Sequence, residues 1–118
     1  MNKKHIILIL IVMAIAFIYG CGLHSGYMAN SAALGGANFS YSKMNAKGTS
    51  SAQYFLGIGG LDKNNLVNAS KQNLLATNPL EANQALVNVT VNFKTEIYFL
   101  IYIKVKCIVT ADIVTFNK

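Results

Sequence analysis

Two stretches in the C-terminal third of the chain alternate strictly between apolar and polar residues. The apolar positions are Val87, Val89, Val91 and Phe93 in the first stretch and Ile103, Val105, Cys107, Val109, Ala111 and Ile113 in the second. Successive side chains of a strand point to opposite faces, so each stretch predicts a strand with one apolar and one wet face. Such strands are typical of an antiparallel sheet that is covered on one side only.

A stretch from Asn64 to Thr77 instead has apolar residues at helical spacing. Its inner face would consist of Leu66, Val67 and Leu74. These positions fall within about 100° of one another around a helix axis, which predicts one amphipathic helix. Asp62 can cap its first turn by accepting backbone N–H bonds. Asn78-Pro79 ends it, because the residue before a proline is pushed out of the helical region.

The segment before this helix predicts a hairpin. Phe39–Met44 alternates weakly, Ser50–Gly57 contains a run of large apolar residues, and Asn45–Gly48 between them suits a turn. The only helix available to cover the apolar face is the one described above. We therefore predict a single α+β domain over residues 37–118, in which one helix packs on one face of an antiparallel sheet of about four strands in the order ββαββ.

The N-terminal residues have the pattern of an export signal. Lys3 and Lys4 precede Ile6–Ile18, an unbroken apolar run of thirteen residues. A membrane-spanning helix needs about 20 apolar residues, whereas the central region of a secretory signal has about 7–15. The run ends in Ile18-Tyr19-Gly20-Cys21, which resembles the lipobox of bacterial lipoproteins. The resemblance implies a diacylglyceryl group on the sulfur of Cys21, cleavage before Cys21 and acylation of the new amino terminus.

This interpretation makes residues 1–20 a signal peptide and residues 21–36 a lipidated tether. The alternative is a plain secretory signal or an uncleaved short anchor, with Cys21 incidental. Gly22–Gly36 is rich in small and polar residues and shows no clear period, which favours a flexible tether; a short edge strand is the second reading. Gly22 stands where an inner-membrane retention aspartate would sit in enterobacterial lipoproteins, so the resemblance indicates the outer membrane, facing the periplasm.

The charge and composition of the chain limit the partners and activities that can be expected. The 118 residues include ten lysines, no arginine and four acidic residues, a formal charge of +6. The lysines are spread singly, unlike the clustered basic residues of nucleic-acid readers, so no nucleic acid is expected as partner. His24 lies beside the anchor and Cys107 has the parity of the apolar face, so neither forms part of a catalytic or metal-binding set. We expect no enzyme activity, no metal and no cofactor.

Two stretches remain as candidate contact surfaces. Gly57-Ile58-Gly59-Gly60 lacks the spacing of a phosphate-binding loop, yet a groove beside it could hold a small ligand. Ile97–Ile103 is apolar throughout the expected turn. It is either a long hairpin that continues both strands or folds over the core, or a hydrophobic tip at Tyr98, Phe99 and Leu100 that meets a protein or a lipid surface.

Four segments of the chain resemble a family of small bacterial lipoproteins of unknown function related to the TRL-like group. They are Ala37–Phe39, Tyr54–Leu61, Gln84–Val91 and Val109–Val114. The resemblance implies a lipid-anchored envelope domain and brings no catalytic residues with it. The expected function is therefore a non-enzymatic structural or protein-binding role at the bacterial envelope, with membrane attachment through Cys21. A small-ligand-binding periplasmic lipoprotein is the alternative. A homodimer is also possible, because it would cover the part of the apolar sheet face that the single helix does not reach.

Overall fold

The computed structural model describes residues 2–18, 21–30, 35–36 and 38–117. Its elements are α1 (Lys3–Ile18), β1 (Cys21–Asn30), β2 (Phe39–Phe55), α2 (Lys63–Thr77), β3 (Gln84–Tyr98) and β4 (Tyr102–Phe116). The four strands form one antiparallel sheet in the order β1-β3-β4-β2. The predicted α+β class with a four-stranded antiparallel sheet is therefore confirmed, although two of the four strands are not the ones expected.

The first difference is that the predicted hairpin over residues 39–57 is one long strand. β2 runs for 17 residues along β4, from the pair Phe39–Phe116 to the pair Phe55–Tyr102. Asn45 does adopt the positive φ of a turn residue, 56°, but it lies in a β-bulge and the strand continues. Its backbone N–H donates to Asp112 Oδ1 at 2.8 Å, which stabilises the bulge.

The second difference concerns the segment expected to be a flexible tether. Cys21–Asn30 form β1, which pairs with β3 along its length and lies at one edge of the sheet. The edge-strand reading is the one that the structure supports for these residues. The sheet therefore begins at Cys21, sixteen positions before the expected start of the domain.

Helix α2 covers the sheet across β2 and β4, as its sequence predicts. Its fully buried side chains are Leu66, Ser70 and Leu74. They pack on a core that includes Ala46, Ala52, Val89, Val91, Phe93, Cys107, Val109, Ala111 and Ile113. Burial of each leucine contributes about 1.5–3 kcal/mol. The remaining face of the sheet has no helix on it in the described part of the chain.

The ends of α2 are also those predicted from the sequence. The Asp62 carboxylate accepts the backbone N–H of Asn65 at 2.8 Å, which caps the first turn. At the other end the N–H of Asn78 donates to the carbonyl of Leu74 at 2.9 Å before Pro79 stops the helix. Both caps satisfy backbone groups that a helix terminus leaves without partners.

Helix α1 is apolar from Ile6 to its end, and its described large apolar side chains are exposed. With 16 residues it is shorter than a membrane-spanning helix, and none of the helices in the described ranges is long and apolar enough to cross a bilayer. Tyr19 and Gly20 of the lipobox-like segment lie outside the described residues, as does the side chain of Cys21.

Candidate functional site

The hairpin between β3 and β4 ends in a tight apolar turn. The N–H of Ile101 donates to the carbonyl of Tyr98 at 3.3 Å, and the two residues between them, Phe99 and Leu100, have φ of 52° and 58°. Two successive positive φ angles are typical of the type I′ hairpin turn, which usually takes Asn-Gly. Large side chains in this region cost about 1–2 kcal/mol per residue. The fold thus holds two bulky apolar residues where small ones would be less strained.

These side chains point into solvent. Leu100 is 84% exposed and Phe99 is 61% exposed, while Tyr98 and Ile101 are also exposed. Ile97 and Ile103 form the last cross-strand pair on the covered face of the sheet and are half-buried. The apolar run thus divides into two parts: its ends continue both strands, and its middle forms an uncovered tip.

A second apolar loop lies against this turn. The N–H of Leu56 donates to the carbonyl of Ile101 at 2.7 Å, and Phe55 pairs with Ile58 across a short bridge. Ile58 is 77% exposed, and Phe55 and Leu56 are exposed as well. We call the combined surface the apolar end; it consists of Phe55, Leu56, Ile58, Tyr98, Phe99, Leu100 and Ile101. An exposed apolar surface made by two loops is typical of a contact site for protein or lipid.

The N-terminal strand starts at this same end of the sheet. β1 runs antiparallel to β3, and the residue of β3 opposite Cys21 is Ile97. Only Tyr98 separates Ile97 from the Phe99-Leu100 turn. The chain therefore enters the sheet next to the apolar end and runs away from it along β1.

Charged and hydroxyl groups follow the apolar end along the uncovered face. Lys94 Nζ lies 2.6 Å from Glu96 Oε1, and the Tyr98 hydroxyl donates to Glu96 Oε2 at 3.2 Å. The Lys94 hydrogen bond lowers the pKa of Glu96, with a smaller contribution from Tyr98. The carboxylate in turn raises the pKa of Lys94 and that of Tyr98. Lys104 pairs with Glu96 and Lys106 with Lys94 in the β3–β4 register, so the three lysines share one face, as their sequence parity predicts.

The two residues considered for catalysis lie apart. His24 is in β1 opposite Lys94 and is exposed. It therefore belongs to the sheet, whereas the sequence pattern favours a tether for this segment. Cys107 is fully buried under α2, and burial raises the pKa of its thiol against a smaller opposing effect of Ser70. The Ser70 hydroxyl lies 2.6 Å from Ser50 Oγ and 3.2 Å from the carbonyl oxygen of Cys107, a packing role. Among the described residues no group of three His, Cys, Asp or Glu side chains could hold a metal ion.

The glycine-rich loop has a role in packing. Gly60 has a φ of 75°, and a Cβ there would lie 2.7 Å from the ring of Tyr54. The Tyr54 hydroxyl donates to the carbonyl of Leu61. Tyr54 therefore packs against the loop beside which a ligand groove was expected. A shallow depression of about 510 Å³ lies at the opposite end of the sheet, lined by Ala82, Asn83, Phe116 and Asn117.

Sequence reasoning located the tip at Tyr98–Leu100 but not its convergence with the loop at Leu56 and Ile58. The signal available was the Tyr54-Phe55-Leu56 run directly before a glycine, which placed large apolar residues at a strand end. Their meeting with the tip depends on β2 pairing with β4, which the predicted hairpin did not include.

Fold and site together define a small α+β protein with an open antiparallel sheet and an apolar end beside its N-terminal strand. The chain belongs to a family of unknown function, DUF6567, whose family model matches residues 1–118. No curated protein matches the chain, and no solved structure does.

Proposed function

We propose that this protein is a lipid-anchored component of the bacterial cell envelope, held through acylated Cys21 and acting by binding, not by catalysis. The observation that carries the proposal is the position of Cys21 between two unlike parts of the chain. The apolar helix α1 ends at Ile18 and the sheet begins at Cys21. Cleavage before Cys21 would remove the helix and leave every strand intact.

The residues around this junction support the same chemistry. A short positive start, an apolar helix too short to span a bilayer and a small residue before a cysteine are the parts that the lipoprotein-processing enzymes require. Two or more acyl chains are needed for stable anchoring, and lipoprotein processing supplies up to three on one residue. Gly22 after the cysteine favours the outer membrane, with the domain in the periplasm.

A binding role is supported by the surfaces that the fold leaves free. The face of the sheet without a helix presents side chains of all four strands. The covered side also leaves Leu23 and Tyr27 of β1 exposed, beyond the reach of α2. An envelope protein is the partner we propose for the open face, and a second copy of the chain is a partner for the β1 edge.

Lipid attachment is tested by metabolic labelling with an alkyne fatty acid in cells that express the full chain. Cys21→Ala is the test variant, and Cys107→Ala is the matched control because Cys107 is the other cysteine and is buried. We expect label in the wild type and in Cys107→Ala, and an unlabelled precursor in Cys21→Ala. Label that persists in Cys21→Ala would contradict the proposal.

The binding role is tested by crosslinking in whole cells. A photo-crosslinking residue is placed at Lys106 or Thr49 on the open face, with Lys71 on the solvent side of α2 as the control position. A specific partner band from the sheet positions and none from position 71 is the expected result. Equal or absent capture from both surfaces would argue against a partner on this face.

A further inference from the structure

We propose that the apolar end inserts into the surface of the lipid bilayer beside acylated Cys21, so that the domain stands on the membrane in one orientation. The inference rests on the proposed lipid attachment and adds a second, noncovalent membrane contact to it. Three observations support it: the exposed apolar side chains of the apolar end, their short distance from Cys21, and the order of residue types along β3 and β4 away from the turn.

The distance between Cys21 and the Phe99-Leu100 turn allows the acyl chains and the apolar end to enter the same bilayer. Cys21 is opposite Ile97, and the turn at Phe99-Leu100 lies two to three residues further along β3. At about 3.3 Å per residue this places the turn ~7–10 Å beyond Cys21 along the strand direction. Apolar groups of interfacial proteins enter the bilayer by about 5–10 Å. With Cys21 at the bilayer surface, the tip therefore reaches the outer part of the acyl chains.

The side chains at the tip are those that a lipid surface accepts. Phe99, Leu100 and Ile58 carry no charge and are exposed, and the backbone strain at Phe99 and Leu100 keeps two bulky side chains at the outermost turn. Strained backbone at an exposed position indicates a functional demand when a less strained residue would serve the fold equally well.

The residues behind the tip follow the order of a membrane interface. Tyr98 and Tyr102 form a cross-strand pair with ring centroids 5.7 Å apart directly behind the turn. Tyrosines are enriched at the headgroup level of membrane proteins. Lys94, Lys104 and Lys106 follow on the same face. Glu96 lies among them and pairs with Lys94, which leaves an excess of positive charge that attracts anionic headgroups. This sequence of apolar, aromatic and cationic layers favours a lipid surface over a protein as the occupant.

The chain contains no tryptophan, so a single substitution supplies a unique depth probe. Phe99→Trp is made in the full chain, and the acylated protein is purified and reconstituted into vesicles of phosphatidylethanolamine and phosphatidylglycerol that carry a shallow doxyl label. Phe116→Trp is the matched control because Phe116 is an exposed phenylalanine at the other end of β4. Leu100→Trp repeats the measurement at the most exposed tip position.

We expect blue-shifted emission and loss of most of the fluorescence to the doxyl quencher for Trp at position 99 or 100, and neither effect at position 116. Equal quenching at both ends of the sheet would overturn the inference. A blue shift that depends on protein concentration and resists the quencher would indicate a second copy as occupant and would also overturn it. A protein that carries no acyl chain and does not float with the vesicles would instead refute the lipid attachment.

Discussion

The contact of α2 with the sheet depends on one residue of β2. Gly48 lies on the covered face opposite Val109, where the backbone of α2 passes directly over the strand. A Cβ at this position would collide with the carbonyl oxygen of Ser70 and would lie 2.5 Å from the backbone nitrogen of Leu74. Gly48→Ala is therefore expected to push the helix off the sheet, since neither atom belongs to a side chain that can rotate away.

The cost follows from the kind of atoms that collide. Overpacking a core typically costs about 1–3 kcal/mol, and the upper part of that range applies when backbone has to move. A loss of about 3 kcal/mol corresponds to a Tm lower by roughly 12–24 °C in a domain of this size. The same displacement would loosen the packing of Leu66 and Leu74, which are fully buried on the inner face of the helix.

Thermal unfolding followed by circular dichroism measures this effect on the purified protein. Ser51→Ala is the control, because Ser51 lies three residues along the same strand on the uncovered face and is exposed. Its Tm should stay within a few degrees of the wild type. A Gly48→Ala variant as stable as Ser51→Ala would refute the close approach of helix and strand.

Three further predictions concern the turn, the buried hydroxyl and the surface ion pair. Phe99→Asn with Leu100→Gly should raise the Tm in calorimetry, because Asn and Gly adopt positive φ at lower cost. Ser70→Ala should lower the free energy of urea unfolding by about 0.5–1.5 kcal/mol, because it removes the hydroxyl that donates to the carbonyl of Cys107 in the core. Glu96→Gln should destabilise the protein at pH 7 and progressively less as the pH falls below 4.5: the lowered pKa of Glu96 stabilises the fold above its ordinary value of 4.5, and that contribution is lost as the pH falls through the folded pKa.

Each of these predictions has a control within the chain. An unchanged or lower Tm in the Asn-Gly variant would show that the turn is not strained. Thr49→Ala, on the uncovered face of β2, controls for the loss of a hydroxyl in Ser70→Ala. An equal gap between Glu96→Gln and the wild type at pH 7 and pH 3 would contradict the ion-pair argument.

Sequence patterns predicted the elements whose signals are local. Helix α2 and both of its caps follow from residues within a turn of one another, and β3 and β4 follow from the alternation of apolar and polar residues along most of each strand. β2 was split in the prediction because Asn45 and Gly48 are turn formers. In the structure Asn45 lies in a β-bulge, and Gly48 allows the backbone of α2 to approach the strand closely. Both uses are set by partners far away in sequence.

β1 and the composition of the apolar end were harder to predict for the same reason. Residues 21–30 mix glycine, serine and apolar side chains without a period, and they form a strand because β3 offers them an edge to pair with. The apolar run at residues 97–103 could be recognised from the sequence as a candidate contact surface. Its neighbours Leu56 and Ile58, and its closeness to Cys21, depend on pairings that join distant parts of the chain.

The central position of β4 has a consequence for the order in which the protein acquires its structure. β4 is the last strand along the chain, yet it pairs with both β2 and β3. Phe39 of β2 and its partner Phe116 of β4 are 77 positions apart in the sequence. A chain that emerges with its N-terminus first therefore holds β2 without its partner β4 until residues 102–116 have emerged. Such distant pairings fold slowly, and we expect the β3–β4 hairpin, the most local pair, to form first and to serve as the template for the rest.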